Sequence, residues 1–392
     1  MIPLRVRELD SATLARGDPE LAVTGLVCDS RLAHPGALFA CLRGSRRDGH
    51  EFIGEAAARG AAAALVAPHR STVASPASFN NELGVPLTLA QLDEGTAICV
   101  CELGTGAPGE LAGLCRIAEP ELGVITAIGA EHLEFFGSVE AVAAEEAALI
   151  ASLPPGAPVV LPADAPLLDS FRRDDLDEWR FGLGTAADVH PLAWCPGAEG
   201  TEAIFAVRGT WVSFRTNLSA PHHRLTLAAA IAAYAALGLP LDQVGTGAVA
   251  IELSPWRGQE QTLRGGGVLI NDAYNANPLS LAVALEALAA RRNGGRAIAV
   301  LGEMAELGTT APRWHADAAR HAAALGIDLL VTVGPGARAY LDGAVGEIEC
   351  RWFPDPASAA SAVEALLRPG DTVLVKGSRT ARLERLAAAL TR

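Results

Sequence analysis

Apolar residues in this chain gather into short runs separated by stretches with helical spacing. Ala97–Cys101, Val124–Ile128, Val268–Ile270, Ala297–Leu301, Leu329–Val333 and Thr372–Val375 read as strands. Between them, Glu140–Leu153 and Leu281–Arg291 read as helices. His315 opens another, and a last helix carries Arg382 and Glu384. Strands alternating with helices predict an α/β fold with a Rossmann-like parallel sheet in the last third. The first residues differ: short β-like runs lead to a helix at Phe52–Arg59 and an apolar run Ala61–Val66. Turn chemistry punctuates the pattern at Pro35-Gly36, Asp48-Gly49 and the cluster Asn80, Asn81, Gly84, Pro86, where side chains bond backbone or proline fixes φ. Pro278 suits the first position of a helix. These breaks divide the chain into segments 1–68, 73–252 and 256–392.

Composition narrows the class. A length of 392 residues suits two to four domains. Half the residues are hydrophobic but only 5% are aromatic, the profile of an Ala-rich α/β protein. A net charge of −14 argues against nucleic-acid binding, which needs a basic face. The seven cysteines form no C-x-x-C pair, so reduced thiols in a cytoplasmic protein are expected rather than disulfides or zinc. The N-terminus has no apolar signal region, and no apolar run is long enough to span a membrane. A monomer is expected. One count outweighs the averages: Lys376 is the only lysine.

Several residues suit chemistry on type and position alone. Asp29 and Ser30 could bond a base edge, and Arg31 could grip a phosphate; the alternative is that this region is only turns. Glu102 follows a strand, where a carboxylate suits a metal or a cap. His132 lies in the next strand's loop, as a ligand or a solvated side chain. Glu145–Glu146 reads either as functional or as an exposed acidic helix face. Lys376 is either a retained functional cation or a solvated loop lysine. G-x-x-x-x-G-K-[ST] does not occur, and in residues 256–392 no G-x-G-x-x-G follows a strand, which argues against a phosphate-binding loop and, in that last segment, against a dinucleotide site.

Two long patterns resemble one family. The string D-S-R…P-G-x-L-F-x-x-x-x-G…D-G-H-x-F begins at Asp29, and D-A-Y-N-A-N-P-x-S begins at Asp272. Both are similar to the Mur ligases, ATP-dependent enzymes of cell-wall precursor synthesis, and the second marks members that join D-Ala-D-Ala to UDP-N-acetylmuramoyl-tripeptide. The resemblance implies a small N-terminal α/β UDP-binding domain, a central parallel-sheet ATPase-like domain and a C-terminal Rossmann-like domain. It implies that Asp29, Ser30, Arg31, Gly44 and His50 lie near the uridine nucleotide. Glu102 and His132 would hold Mg²⁺, with His132, Glu146 and Lys376 at the catalytic centre. Asn81, Arg257, Asn271 and Asn275 would lie near ATP; Lys376, Ser378 and Arg379 would face the incoming dipeptide.

The chain departs from that pattern on the nucleotide side. The strand–loop–helix expected before Ser75 is missing, and the lone Lys376 cannot supply it. Glu146 stands where the family carries a carbamylated lysine. His223-Arg224-Leu225-Thr226-Leu227 replaces H-N-x-x-N, and Leu227 suggests core packing. The missing strand would be central in a parallel sheet and buried on both faces, so its neighbours must close over the gap or leave an apolar slot. Three outcomes follow: a working ligase, a binding module that keeps the UDP-muramoyl-peptide pocket, or a decayed or truncated copy. The losses predict that this chain neither binds nor hydrolyses ATP measurably.

Overall fold

The uninterrupted apolar runs become the inner strands of two sheets. A computed structural model describes residues 61–391 except 77–78, 198, 253–254 and 293, together with the backbone of four short strands nearer the start. These are β1 (Leu4–Arg5) antiparallel to β2 (Ala22–Val23), and β3 (Gly25–Val27) parallel to β4 (Ala37–Phe39). Asp29, Ser30, Arg31, Gly44, His50 and the helix expected at Phe52–Arg59 lie outside the described residues.

The middle of the chain builds two sheets. Strands β5 (Thr72–Ala74) and β6 (Ile98–Val100) form a parallel pair. A six-stranded sheet has the order β12-β11-β10-β9-β8-β7. Its members are β7 (Gly123–Val124), β8 (Pro158–Pro162), β9 (Asp177–Phe181), β10 (Val189–Gly197), β11 (Gly200–Val207) and β12 (Thr210–Thr216). Strands β7 to β10 are parallel, but β11 runs antiparallel to both its neighbours. The expected parallel central sheet is therefore mixed. Antiparallel neighbours need only tight turns, whereas parallel ones need a long crossover. The second of these turns holds Gly209 at φ 82°, a left-handed conformation that glycine adopts without strain.

Helix α1 (residues 61–66) and α7 (His223–Ala236) cover one face of this unit. Their Leu65, Leu227, Ile231 and Tyr234 share a core with Val160 and Phe205. The other face carries α3 (Glu110–Ala118), α5 (Val139–Glu146) and α6 (Ala148–Ser152), which bury Leu111 and Ile150 against Val159 and Leu161. The expected helix Glu140–Leu153 is thus two pieces meeting at Ala147. Short helices α2 (Gly84–Leu89), α4 (Leu133–Phe136) and α8 (Val244–Ala248) complete the unit.

The last third forms a sheet of order β13-β14-β18-β15-β16-β17. Its strands are β13 (Gln259–Thr262), β14 (Val268–Asp272), β15 (Ala297–Gly302), β16 (Leu329–Val333), β17 (Cys350–Phe353) and β18 (Thr372–Lys376). Five are parallel, as the apolar runs predict. The edge strand β13 is antiparallel to β14, so this sheet too is mixed. Helices α9 (Pro278–Ala290), α10 (Ala311–Ala324) and α11 (Tyr340–Ala344) pack on one face, α12 (Pro356–Leu366) and α13 (Glu384–Thr391) on the other. Pro278 is the first residue of α9, behind an Asn277–Ser280 capping box. His315 sits in the second turn of α10 rather than at its start, where Nε2 accepts from the Met304 N–H at 2.8 Å.

Among the described residues, β6 and β7 do not pair with each other. Between them lies a cavity of about 370 Å³, walled by β6 and β7 at its sides, by Ala62, Ala229 and Ala233 on one face, and by Leu111 and Leu149 on the other.

Candidate functional site

The site forms where the C-terminal ends of the strands in both units meet. Strand β6 runs into Glu102, which is buried. Its backbone N–H donates to Ser75 Oγ at 3.0 Å, and Oε1 accepts from Asn80 Nδ2 at 2.9 Å. Sequence reasoning singled out the neighbouring Asn81. That residue accepts from the N–H groups of Leu83 and Gly84 and shapes the entry to α2. The doubled Asn80-Asn81 was the available signal: one amide serves the turn and the other reaches the site.

The loop after β7 carries Glu131 and His132. His132 is buried, adopts φ 50°, and its Nδ1 lies 2.5 Å from Glu306 Oε2 in the last third. The Glu134 N–H donates to the Glu306 carbonyl at 2.9 Å, and Asn277 Nδ2 donates to Glu131 Oε2 at 3.3 Å. Glu306, itself at φ 61°, was not assigned a role from sequence. Its signal was a second acid in the Gly302–Gly308 loop that follows a strand.

Glu146, at the end of α5, is buried, and its carboxyl is pushed up to about 8. Burial is the main cause, followed by repulsion from Glu131 and Glu145. Burial also raises the Glu131 carboxyl. The exposed-face alternative for Glu145–Glu146 is therefore overturned. Glu145 accepts from the N–H groups of Gly109 and Leu111, at 2.7 and 2.8 Å, and so satisfies the start of α3.

Lys376 ends β18 with its side chain fully buried. Nζ donates to Asp272 Oδ2 at 2.7 Å and to the Asn275 carbonyl at 2.9 Å. Burial lowers its pKa while Asp272 opposes the shift. The solvated-loop alternative for Lys376 is overturned: this cation ties β18 to the Asp272–Ser280 loop. Asn271, in β14, and Asn275, in that loop, are both buried, and their Oδ1 atoms accept from the N–H groups of Ala273 and Ala276. Ser378 accepts from the Ala305 N–H at 2.8 Å and donates to the Ala276 carbonyl at 3.3 Å. The buried Arg257 lies 4.0 Å over the Tyr274 ring. Arg379 lies over Trp256 and pairs with Glu384 at 3.0 Å.

The start of α7 adds His222 and His223, whose rings are 4.3 Å apart. Burial lowers His222, and burial with repulsion from His222 takes His223 down to about 3. Both are neutral at physiological pH, and Leu227 is fully buried as the sequence suggests.

The site thus brings Glu131, His132, Asn275, Ser378 and Glu306 around one small pocket, while Glu102 and Glu146 line the larger cavity. Among the described residues, no three His, Cys, Asp or Glu side chains converge to hold a metal ion. The Lys376 ammonium is enclosed by Asp272 and Asn275 and presents no phosphate cradle. The enclosed Lys376 offers no charge to a triphosphate, whereas Mg²⁺ needs only one or two protein carboxylates beside water and phosphate oxygens, a demand that Glu102 fits.

Comparison with known proteins places this arrangement. The profile of the Mur ligase middle domain matches residues 52–234, and that of the Mur ligase glutamate ligase domain matches 257–379. A UDP-N-acetylmuramoyl-tripeptide–D-alanyl-D-alanine ligase of Mycobacterium tuberculosis is 34% identical, over 84% of this chain and 69% of its own length. The chain belongs to the Mur ligase family. The solved MurF of Thermotoga maritima, in complex with ADP, is 26% identical with a TM-score of 0.77, covering 86% of this chain and 77% of that one. Acinetobacter baumannii MurF shares the fold at a TM-score of 0.84 and 23% identity, over 95% and 94% of the two chains.

Length adds a constraint. The same-named ligase of Escherichia coli is 27% identical over 437 aligned positions, covering 94% of that protein and 95% of this chain. As 95% of 392 is about 372, about 65 of those positions have no residue of this chain opposite them. Among the described residues, no helix is long and apolar enough to cross a membrane.

Proposed function

We propose that this Mur ligase descends from enzymes that join D-Ala-D-Ala to UDP-N-acetylmuramoyl-tripeptide, and that the chain alone retains substrate binding without ATP-driven turnover. The names of its relatives and the Asp272–Ser280 string support the substrate class. One observation carries the loss of turnover. The only lysine is sealed in an ion pair with Asp272, and the place for a central strand between β6 and β7 is an open cavity. Acyl-phosphate formation needs positive groups and backbone N–H donors around the transferring phosphoryl group. A single arginine supplied to such a site changes rates by about 10³–10⁵, so the absence of a whole cradle removes useful turnover.

In this reading residues 1–68 bind the UDP end, through Asp29, Ser30, Arg31, Gly44 and His50. Segment 73–252 is the former ATPase unit, and 256–392 holds Ser378 and Arg379 toward the dipeptide, with Lys376 fixing the Asp272–Ser280 loop beside them. The protein acts in the cytoplasm as a monomer. Phosphate release with ATP, Mg²⁺, UDP-N-acetylmuramoyl-tripeptide and D-Ala-D-Ala is expected to stay at background. The UDP-muramoyl peptide alone is expected to raise the melting temperature. Phosphate release dependent on D-Ala-D-Ala contradicts the first expectation, and no shift at millimolar ligand contradicts the second.

A further inference from the structure

Two of the seven cysteines sit one residue apart at the end of one strand. Cys99 lies in β6 and Cys101 directly follows it, and neither is in a disulfide. Alternate residues of an extended chain point to the same side, and here the two thiols are hydrogen-bonded to each other. Both residues are half-buried, and both line the cavity of about 370 Å³ beside β6. A small solute in that cavity therefore meets two sulfurs at once.

The surroundings present those sulfurs as ligands for a cation. Ser75 Oγ accepts from the Glu102 N–H at 3.0 Å and donates to Cys101 Sγ at 3.8 Å. Such a donor fixes the orientation of a sulfur, as outer-shell partners do in metal sites. Glu102, Glu119 and Glu121 line the same cavity, and no Lys, Arg or His among the described residues does. A cleft with charge of one sign gathers ions of the other, so a cation is favoured over an anionic thiol reagent.

Ligand number narrows the ion. Structural zinc takes four ligands and iron–sulfur clusters take four cysteines, whereas among the described residues no three His, Cys, Asp or Glu side chains converge. Hard cations take oxygen rather than sulfur. Among the metals that thiolates select, this leaves copper(I), which two sulfurs can satisfy. Spacing also separates an ion from a disulfide. Residues two apart in a strand have Cα atoms about 6.6 Å apart, close to the upper end of the disulfide range. An S–S bond is about 2.05 Å long, whereas two metal–thiolate bonds of about 2.3 Å place the sulfurs up to about 4.6 Å apart. An ion between the sulfurs distorts the strand less than a direct bond.

We infer that Cys99 and Cys101 form a two-sulfur site for copper(I), entered from the cavity between β6 and β7. Each thiol releases its proton to solvent on binding, and no oxidant or reductant is consumed. The bound ion braces β6, which among the described residues pairs with β5 alone. Neither nucleotide nor muramoyl peptide takes part.

The test titrates the full chain, reduced and free of oxygen, against copper(I) held by the chromophoric chelator bicinchoninate. The chain is expected to withdraw one ion, with a new near-ultraviolet sulfur-to-copper absorption and a rise in melting temperature. Cys99→Ser and Cys101→Ser should each weaken binding by about a hundredfold or more, and Ser75→Ala by about tenfold. Cys195→Ser, at an exposed position of β10, should change nothing. If the site variants do not fold, alkylation of the unaltered chain with and without copper(I) replaces them, and peptide mapping should find Cys99 and Cys101 protected. Withdrawal of no copper, equal withdrawal by either folded site variant, or protection of other cysteines in place of these two overturns the inference. So does displacement of copper(I) by equimolar zinc, or copper-dependent dimerisation that either site variant abolishes, because the sulfurs would then come from two chains.

Discussion

Lys376 and Asp272 form the buried pair on which the Asp272–Ser280 loop depends. Removing one partner leaves a charge in a dry site, and such changes cost about 3–5 kcal/mol. Lys376→Met is therefore expected to destabilise by that amount in urea unfolding. Lys376→Met combined with Asp272→Asn should recover a large part of the loss. Additive losses would show that the two side chains act separately.

Glu146 gives a second test at the same scale. The folded state holds its proton up to about pH 8, while the unfolded chain releases it near 4.5. Between those values the native state binds more protons, so this group makes stability fall as pH rises. Glu146→Gln should leave stability near pH 4 unchanged. It should raise stability at pH 8.5 by about 1 kcal/mol or more, as one pKa unit corresponds to 1.36 kcal/mol. An unchanged pH slope in the variant contradicts this assignment.

At the scale of elements, the start of α3 depends on a side chain from α5. Glu145 accepts from the Gly109 and Leu111 N–H groups, so Glu145→Ala leaves two donors without a protein partner. A loss of about 1–3 kcal/mol is expected in thermal or urea unfolding. A change within experimental error would mean that water replaces the carboxylate.

Elements were also where the sequence was most readable. Leu329–Val333 is β16 residue for residue, and Ala297–Leu301 lacks only Gly302 of β15, because a strand buried on both faces must be apolar at every position. The hairpin strands β11 and β12 escaped notice because they bury alternate residues and so present no continuous run. In the site, Glu102 and His132 were legible from their places after strands. Glu306 and Asn80 were not, since their importance comes from contacts across 174 and 22 positions of chain. Lys376 was legible as unusual but not as buried, because its enclosure is made by a loop about 100 residues earlier, with separations of 104 and 101.

At the scale of the molecule, the middle and last thirds meet through His132–Glu306, Glu134–Glu306 and Glu131–Asn277. The two matched domains are thus joined at the ends of their strands, and among the described residues no strand lies in the cavity between β6 and β7. The account stands on this combination of a Mur ligase scaffold and no grip on a triphosphate. Calorimetric titration of the chain with ATP and Mg²⁺ tests it most directly. No heat of binding is predicted up to millimolar nucleotide; saturable micromolar binding would contradict the account.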